Sequence, residues 1–435
     1  MKPKQWLSLF FSLLLTVTLL PSYIKAEEIT QPTIAAEAAI LMDANTKTIL
    51  YEKNAHETHY PASITKLMTA LLAIENLSPQ EQITFSRNAV YSIEPGSSHI
   101  GIKDGEILTV DQALHGLLLM SANEVANGLA EAVSGSLEDF SIRMTERAKE
   151  LGALNTHFVN AHGLHDKNHY TTAYDMALIG SYLAQNEYFL SIMQDVSYEI
   201  PITNITNETR PLYQQHYMLN PNRNGKLYRE DVIGGKTGYT DQARHTLVTM
   251  AKQGDTTLVA VILQSEKSTL YTDTAALLDY GFASYQTLDL HTADEILKTL
   301  PGYSVKSGQA YQSVNYGLGL AEDTSVIVLN TVSPDDIILN FDLPESLDNT
   351  YKVGDTIGTV SFVLNGQTLN SGELVIKQLE ILPEPAFSIS SLMHLSTNKL
   401  FIIGGVVFII LLLFIFILRK KHLKNKYKKV GKFFK

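Results

Sequence analysis

Ser63-Ile64-Thr65-Lys66 sets a hydroxyl and an amine three residues apart, one helical turn, so both side chains lie on the same face. Ser121-Ala122-Asn123 and Lys236-Thr237-Gly238 follow in that order, at gaps the size of whole supersecondary units. Each pattern alone is weak, because four residues with two fixed positions arise by chance in most long chains. The ordered set of three is specific, and it points to nucleophilic serine chemistry.

Serine is a poor nucleophile at its own pKa and needs a base beside it. Lys66 is that base if burial and nearby positive charge keep its amine neutral, and Lys236 can supply part of the charge. Ser63 follows Pro61-Ala62 and opens a helix, where the dipole favours developing negative charge. Ser121 falls at a break between two apolar helical stretches and can relay the proton from Lys66 to a leaving amine. Asn123 can hydrogen-bond a substrate backbone amide. Lys236-Thr237-Gly238 lies behind Gly234-Gly235 and ahead of a strand-like run. An exposed strand edge binds an extended peptide through main-chain hydrogen bonds, and Gly238 lets that backbone come close. Lys236 and Thr237 are placed to hold a terminal carboxylate. The backbone N–H groups of Ser63 and Tyr239 form the expected oxyanion hole, each donor contributing about 3–4 kcal/mol. The bland alternatives are an ordinary helix cap for Ser63, a solvated Lys66, and plain turns at the other two motifs.

The two ends of the 435-residue chain are apolar. Residues 1–26 read as a secretory leader: Lys2 and Lys4, an apolar stretch from Trp6 to Leu20, and a cut after Ala26. The rival reading is an uncleaved anchor, against which the short apolar core argues. Residues 400–418 contain no charge and, as a helix of about 28 Å, match a bilayer core. The basic tail at 419–435 follows directly and is expected to stay on the cytoplasmic side. The chain is therefore expected at the cell membrane, single-pass, with its bulk extracytoplasmic. Of 34 basic residues, three lie in the leader and nine after Leu418, leaving 22 against 45 acids between the ends. Such an acidic surface disfavours nucleic acid. There is no cysteine, so the exported part rests on its core without disulfides.

Between the ends, two textures are visible. Residues 35–285 mix helix and strand signals. Ala38–Met42 and Thr48–Tyr51 flank Asp43-Ala44-Asn45-Thr46 as a hairpin. Ser63–Glu75, Leu114–Met120 and Glu124–Val133 read as helices, with Thr172-x-x-Asp175 as a capping box before another. Thr246–Met250 and Leu258–Leu263 read as strands, and Thr272–Phe282 as a closing helix. The expectation is an α+β catalytic domain with helices layered on an antiparallel sheet. Residues 292–382 carry short β runs at Ser325–Leu329, Ile337–Phe341 and Val360–Leu364, with Asn365-Gly366 as a hairpin turn. They read as a small all-β domain, a spacer or interaction module, and residues 383–399 as a linker to the membrane.

The three motifs together are those of the penicillin-binding acyl-transferases. The likeness extends to Tyr60–Ala70, Leu151–Phe158, His169–Ala177 and Gly235–Thr240. Over about Ala35 to Phe282 the chain resembles the D-alanyl-D-alanine carboxypeptidases, the low-molecular-mass penicillin-binding proteins. The resemblance implies a β-lactamase-like, transpeptidase-type catalytic domain, a small β-rich second domain and a C-terminal membrane anchor. It implies a serine hydrolase in which Ser63 attacks the carbonyl between two terminal D-alanines of a peptidoglycan stem peptide, and β-lactam antibiotics acylate the same serine. Two departures stand out. The family often has a small pair where this chain has Ala243-Arg244. It commonly carries an arginine just before the closing helix, where this chain has Glu266-Lys267-Ser268-Thr269-Leu270-Tyr271. Either Lys267 or Arg244 takes that carboxylate-holding role, or carboxylate recognition is altered.

Two other functions compete. A β-lactamase needs a second base for deacylation, and residues 160–168 offer His162, His165 and Asp166 but no glutamate. An idle wall-binding protein has no need of both lysines. No cofactor is expected. No metal is expected either, because Gly163 and the polar run around His162, His165 and His169 favour an irregular loop over a helical ligand set.

Overall fold

The structure is a computed structural model that describes residues 30–306, 308–384 and 397–430. The leader at 1–26, most of the linker at 383–399 and the last five residues of the basic tail lie outside them. Two compact units are present. The first holds the residues up to Thr287 together with Ile327–Val332, and the second holds Leu288–Val326 and the residues from Ser333 onward.

The first unit is built on a five-stranded antiparallel sheet. Its strands are β1 (Ala38–Asp43), β2 (Ile49–Lys53), β3 (Val232–Thr240), β4 (Arg244–Gln253) and β5 (Thr256–Ser265), in spatial order β2-β1-β5-β4-β3. The β1–β2 turn is fixed where Asp43 Oδ1 accepts from the Thr46 nitrogen at 2.7 Å. All six residues of β1 and nearly all of β5 are buried, as expected for strands covered on both faces. Successive strand residues point to opposite faces. Val259 lies against Gly180 of one helix, and its neighbour Leu258 against Gly281 of another. The sheet is thus sandwiched between the helices Ala173–Leu183 and Leu270–Ser284. Among the described residues, strand β3 pairs only with β4, which leaves one of its edges open.

Among the helices of this unit are α1 (Lys66–Asn76), α2 (Val110–Leu119), α3 (Asn123–Ser134), α4 (Ala173–Leu183) and α5 (Leu270–Ser284). The first eight residues of α1 are all buried, which marks a core helix rather than an amphipathic surface one. Reciprocal bonds between Thr109 and Gln112 start α2. The expected capping box at Thr172 forms only by half. Thr172 accepts from the Asp175 nitrogen, but the Asp175 carboxylate accepts instead from the Asn155 nitrogen and the Thr156 hydroxyl, both at 2.7 Å. That carboxylate ties the preceding loop to the helix.

The second unit contains a six-stranded sheet of β6 (Lys298–Lys306), β7 (Gln309–Leu320), β8 (Ile338–Asp342), β9 (Leu347–Asp348), β10 (Thr356–Leu364) and β11 (Gln367–Ile381). Their order is β8-β10-β11-β7-β6-β9, antiparallel except for β6 with β9. Asn365 and Gly366 both have positive φ, which gives the β10–β11 hairpin the twist its strands need. One apolar cluster joins Leu300, Val314, Tyr316, Leu318, Leu347 and Ile376, and Leu320, Val360, Phe362 and Leu374 are buried as well. The expected run Ser325–Leu329 lies within a strand Thr324–Leu329, but from Ile327 onward it belongs to the first unit. Helix α6 (Thr397–Val430) includes Phe401–Lys421, long and apolar enough to cross a membrane, and continues into the basic tail.

Candidate active site

Ser63 sits in a tight 3₁₀ turn, Ala62–Thr65, which leads directly into α1. Ala62 adopts φ +52°, a left-handed conformation that an alanine takes only when its surroundings hold it there. Two glycines make room for those surroundings. A Cβ on Gly163, itself at φ +87°, would fall 1.9 Å from the Ala62 carbonyl oxygen. A Cβ on Gly238 would fall 2.8 Å from the Ser63 nitrogen and 2.4 Å from Thr246 Oγ1, which donates to the Pro61 carbonyl at 2.8 Å. The serine is therefore clamped between the 160–168 loop and the open edge of β3.

Lys66 is fully buried, not solvated. Its Nζ lies 3.1 Å from Ser63 Oγ, 2.7 Å from Asn123 Oδ1 and 2.6 Å from the His162 carbonyl oxygen. Burial, followed by the charge of Lys236, holds the Lys66 amine well below its usual range, while Glu124 pulls the other way. A neutral amine has two N–H donors and one lone pair. The Asn123 and His162 oxygens occupy the donors, and the lone pair is left to take the Ser63 hydroxyl proton.

Ser121 also has a left-handed backbone, φ +60°, and its buried Oγ has no hydrogen-bond partner among the described residues. An orphan hydroxyl of this kind calls for an explanation, and it lines the same cleft as Ser63. Asn123 begins α3, with its nitrogen donating to the Ser98 carbonyl at 2.9 Å. Its Oδ1 is turned to Lys66. The next residue, Glu124, is almost fully buried. Its Oε1 accepts from the nitrogens of Ile100 and Gly101 at 2.7 and 3.1 Å, holding the loop that frames the cleft.

Lys236, Thr237, Gly238 and Tyr239 all lie on β3. Lys236 is 2% exposed, and burial lowers its pKa to about 7. Tyr239 is 50% exposed, and its hydroxyl donates to Asp241 at 3.0 Å. A cleft of about 1160 Å³ is lined by Ser63, Ser121, Asn123, Thr237, Gly238 and Tyr239. Lys66 and Lys236 lie buried and outside its lining, close enough to each other for their charges to interact. The structure thus gathers all three sequence motifs at one groove. Of the two residues weighed for the missing arginine, Arg244 is held by Glu266 at 2.8 and 2.9 Å, and Lys267 lines the cleft.

The three loop histidines serve three separate ends. The His162 carbonyl holds Lys66 and its Nδ1 accepts from the Leu164 nitrogen at 3.2 Å, with burial lowering its pKa to about 3. His169 bridges Thr65 Oγ1 at 2.8 Å and the Val159 nitrogen at 3.0 Å, and burial lowers its pKa to about 3 as well. His165 meets the edge of Tyr60 at 4.6 Å and faces the cleft. Two groups here escape sequence reasoning. The His162 carbonyl carries no side-chain signature. Glu124 is visible only as an acid in the first turn of a helix, a position that the dipole alone accounts for.

Residues 25–267 match the D-alanyl-D-alanine carboxypeptidase family, peptidase S11, and the chain belongs to it. It is 30% identical over 347 residues to the D-alanyl-D-alanine carboxypeptidase DacF of Bacillus subtilis, covering 79% of this chain and 85% of the relative. It is 29% identical to DacA of Escherichia coli, covering 82% and 86%. Penicillin-binding protein 5 of Haemophilus influenzae superposes with a TM-score of 0.68 at 26% identity, over 80% of this chain and 99% of that one.

Proposed function

We propose that the protein is a serine-type D-alanyl-D-alanine carboxypeptidase that trims the terminal D-alanine from peptidoglycan stem peptides and is inhibited by penicillin. The observation that carries this reading is the buried, charge-disfavoured amine of Lys66 at 3.1 Å from Ser63 Oγ, beside an open strand edge. The substrate adds to the edge of β3 as an extended strand. Lys66 takes the Ser63 proton as Oγ attacks the carbonyl, and the oxyanion is held by the Ser63 and Tyr239 N–H groups. The proton passes through Ser121 to the departing D-alanine amine, leaving an acyl ester on Ser63. Water then hydrolyses the ester and restores the hydroxyl. Asn123 holds Lys66 and the peptide, while Lys236 and Thr237 hold the terminal carboxylate. A β-lactam acylates the same serine but leaves no departing amine, so its ester persists.

The family membership and the apolar stretch of α6 support a wider placement: residues 35–285 catalytic, 292–382 a β-rich spacer, and 400–418 anchoring the chain outside the cell membrane. The test is labelled benzylpenicillin together with D-alanine release from an acyl-D-Ala-D-Ala peptide. Wild type should label and release D-alanine, and Ser63→Ala should do neither. Equal labelling of both proteins would sink the assignment.

A further inference from the structure

The reacting centre lies partway along the β3 edge, where Gly238 meets the Ser63 nitrogen. From there the edge runs two ways. Toward Tyr239 the charges are mixed: Asp241 accepts from the Tyr239 hydroxyl, and Glu266 occupies Arg244. Toward Lys236 positive charge gathers, and an aromatic stack extends it outward. His216 packs against Gly235, its Nε2 lying 3.0 Å from where a Cβ there would stand. Tyr271 meets the His216 ring edge-on at 5.6 Å, Tyr217 stacks on Tyr271 at 5.0 Å with 15° between planes, and the Arg223 guanidinium lies over Tyr217 at 5.4 Å. Tyr271, the second residue of α5, closes the stretch Glu266–Tyr271, for which the family resemblance implies an arginine. Its hydroxyl is taken up by the Tyr217 nitrogen at 3.1 Å.

Arg223, Tyr217 and Tyr271 line the same cleft as Ser63. Arg223 is exposed, and among the described residues no carboxylate lies within ion-pair reach of it. Its turn is built. Asn220, buried, donates from Nδ2 to the Gln214 carbonyl at 2.9 Å, and its own carbonyl accepts from the Arg223 nitrogen at 3.2 Å. The Gln214 side chain is pinned in turn to the Met193 carbonyl at 3.0 Å. A planar guanidinium stacked on an aromatic face, with its donors unpaired, is suited to bidentate capture of a carboxylate.

The geometry points to Arg223 as a further holder of the substrate's terminal carboxylate, acting beside Lys236 and Thr237 in the role for which the family resemblance implies an arginine. The inference rests on the carboxypeptidase reading and names the residue that sets its specificity. The β3 edge then has a direction: the C-terminal D-alanine lies toward Lys236 and the body of the peptide toward Tyr239.

The test is the ratio of kcat/KM for an acyl-D-Ala-D-Ala peptide to that for the same peptide ending in a carboxamide. Arg223→Met should lower the ratio about tenfold or more, Arg223→Lys should restore part of it, and Lys267→Met should leave it unchanged. An unchanged ratio in Arg223→Met, or its collapse in Lys267→Met, overturns the inference. Acylation by benzylpenicillin and by its methyl ester gives the same ratio independently of peptide turnover and verifies that each variant is folded. If wild type labels but releases no D-alanine, the carboxypeptidase reading fails, and the penicillin ratio still decides the role of Arg223.

Discussion

The two units bury different things. In the first, Lys66, Lys236, Glu106, Glu124 and several histidines sit inside the fold beside its apolar core. In the second, among the described residues, every fully buried side chain is hydrophobic. Burying a charged or polar group opposes folding unless it is partnered, so a fold that does so repeatedly needs a large core to support it. The first unit has one, running from Ile34 to Ile327, whereas the cluster around Tyr316 in the second is far smaller. Strained backbone follows the same division. Ala62 and Ser121 are held left-handed beside the nucleophile, while the left-handed Asn365 of the second unit is only the turn of a hairpin.

Replacing Lys66 tests this contrast most severely. Lys66→Met keeps the volume and removes the base, so penicillin acylation should fall about 10³-fold. The unfolding temperature should hold or rise, because a buried amine gives way to an apolar side chain. A large loss of stability would mean that the lysine is structural. The pH profile of kcat/KM is a milder probe. In the proposed mechanism Lys66 acts as a neutral base, so the rate should climb as pH rises through its depressed pKa. In the proposed mechanism Lys236 binds the carboxylate as a cation, so the rate should decline above about 7. Loss of the alkaline limb in Lys236→Arg would tie it to that residue. The smallest effect belongs to the second unit. Tyr316→Phe removes the bond from the Tyr316 hydroxyl to the Asp348 carbonyl and should destabilise that unit by about 1 kcal/mol, with acylation unchanged. A change in acylation would show that the two units are energetically linked.

Much of the first unit is legible before any coordinates. Ser63 and Lys66 declare themselves because one helical turn fixes their relation, and the hairpin at Asp43–Thr46 because its turn residues are specific. The neighbours that tune them are harder to see. The His162 carbonyl is a backbone atom, the left-handed Ala62 is an ordinary alanine in sequence, and the Tyr217–Arg223 stack forms only when the 214–231 loop closes on α5. In the second unit β10 is easily read from its contiguous branched residues. Strand β7 is not. Its buried positions, Val314, Tyr316, Leu318 and Leu320, alternate with asparagine and glycine, so only their period of two reveals it.

The first unit is discontinuous along the chain, and this bears on how it can be made. Ile327 belongs to its core, the Asn330 nitrogen and Nδ2 donate to the carbonyls of Ser284 and Ala283, and the Gln286 amide donates to the Val332 carbonyl. A polypeptide made from its N-terminus holds all three site motifs by residue 287, yet lacks the last piece of its own core until residue 332 has been added. Maturation of the enzyme is thereby tied to synthesis of the segment that follows it, and a fragment cut at the apparent domain border would leave those carbonyls bare and a hole where Ile327 belongs.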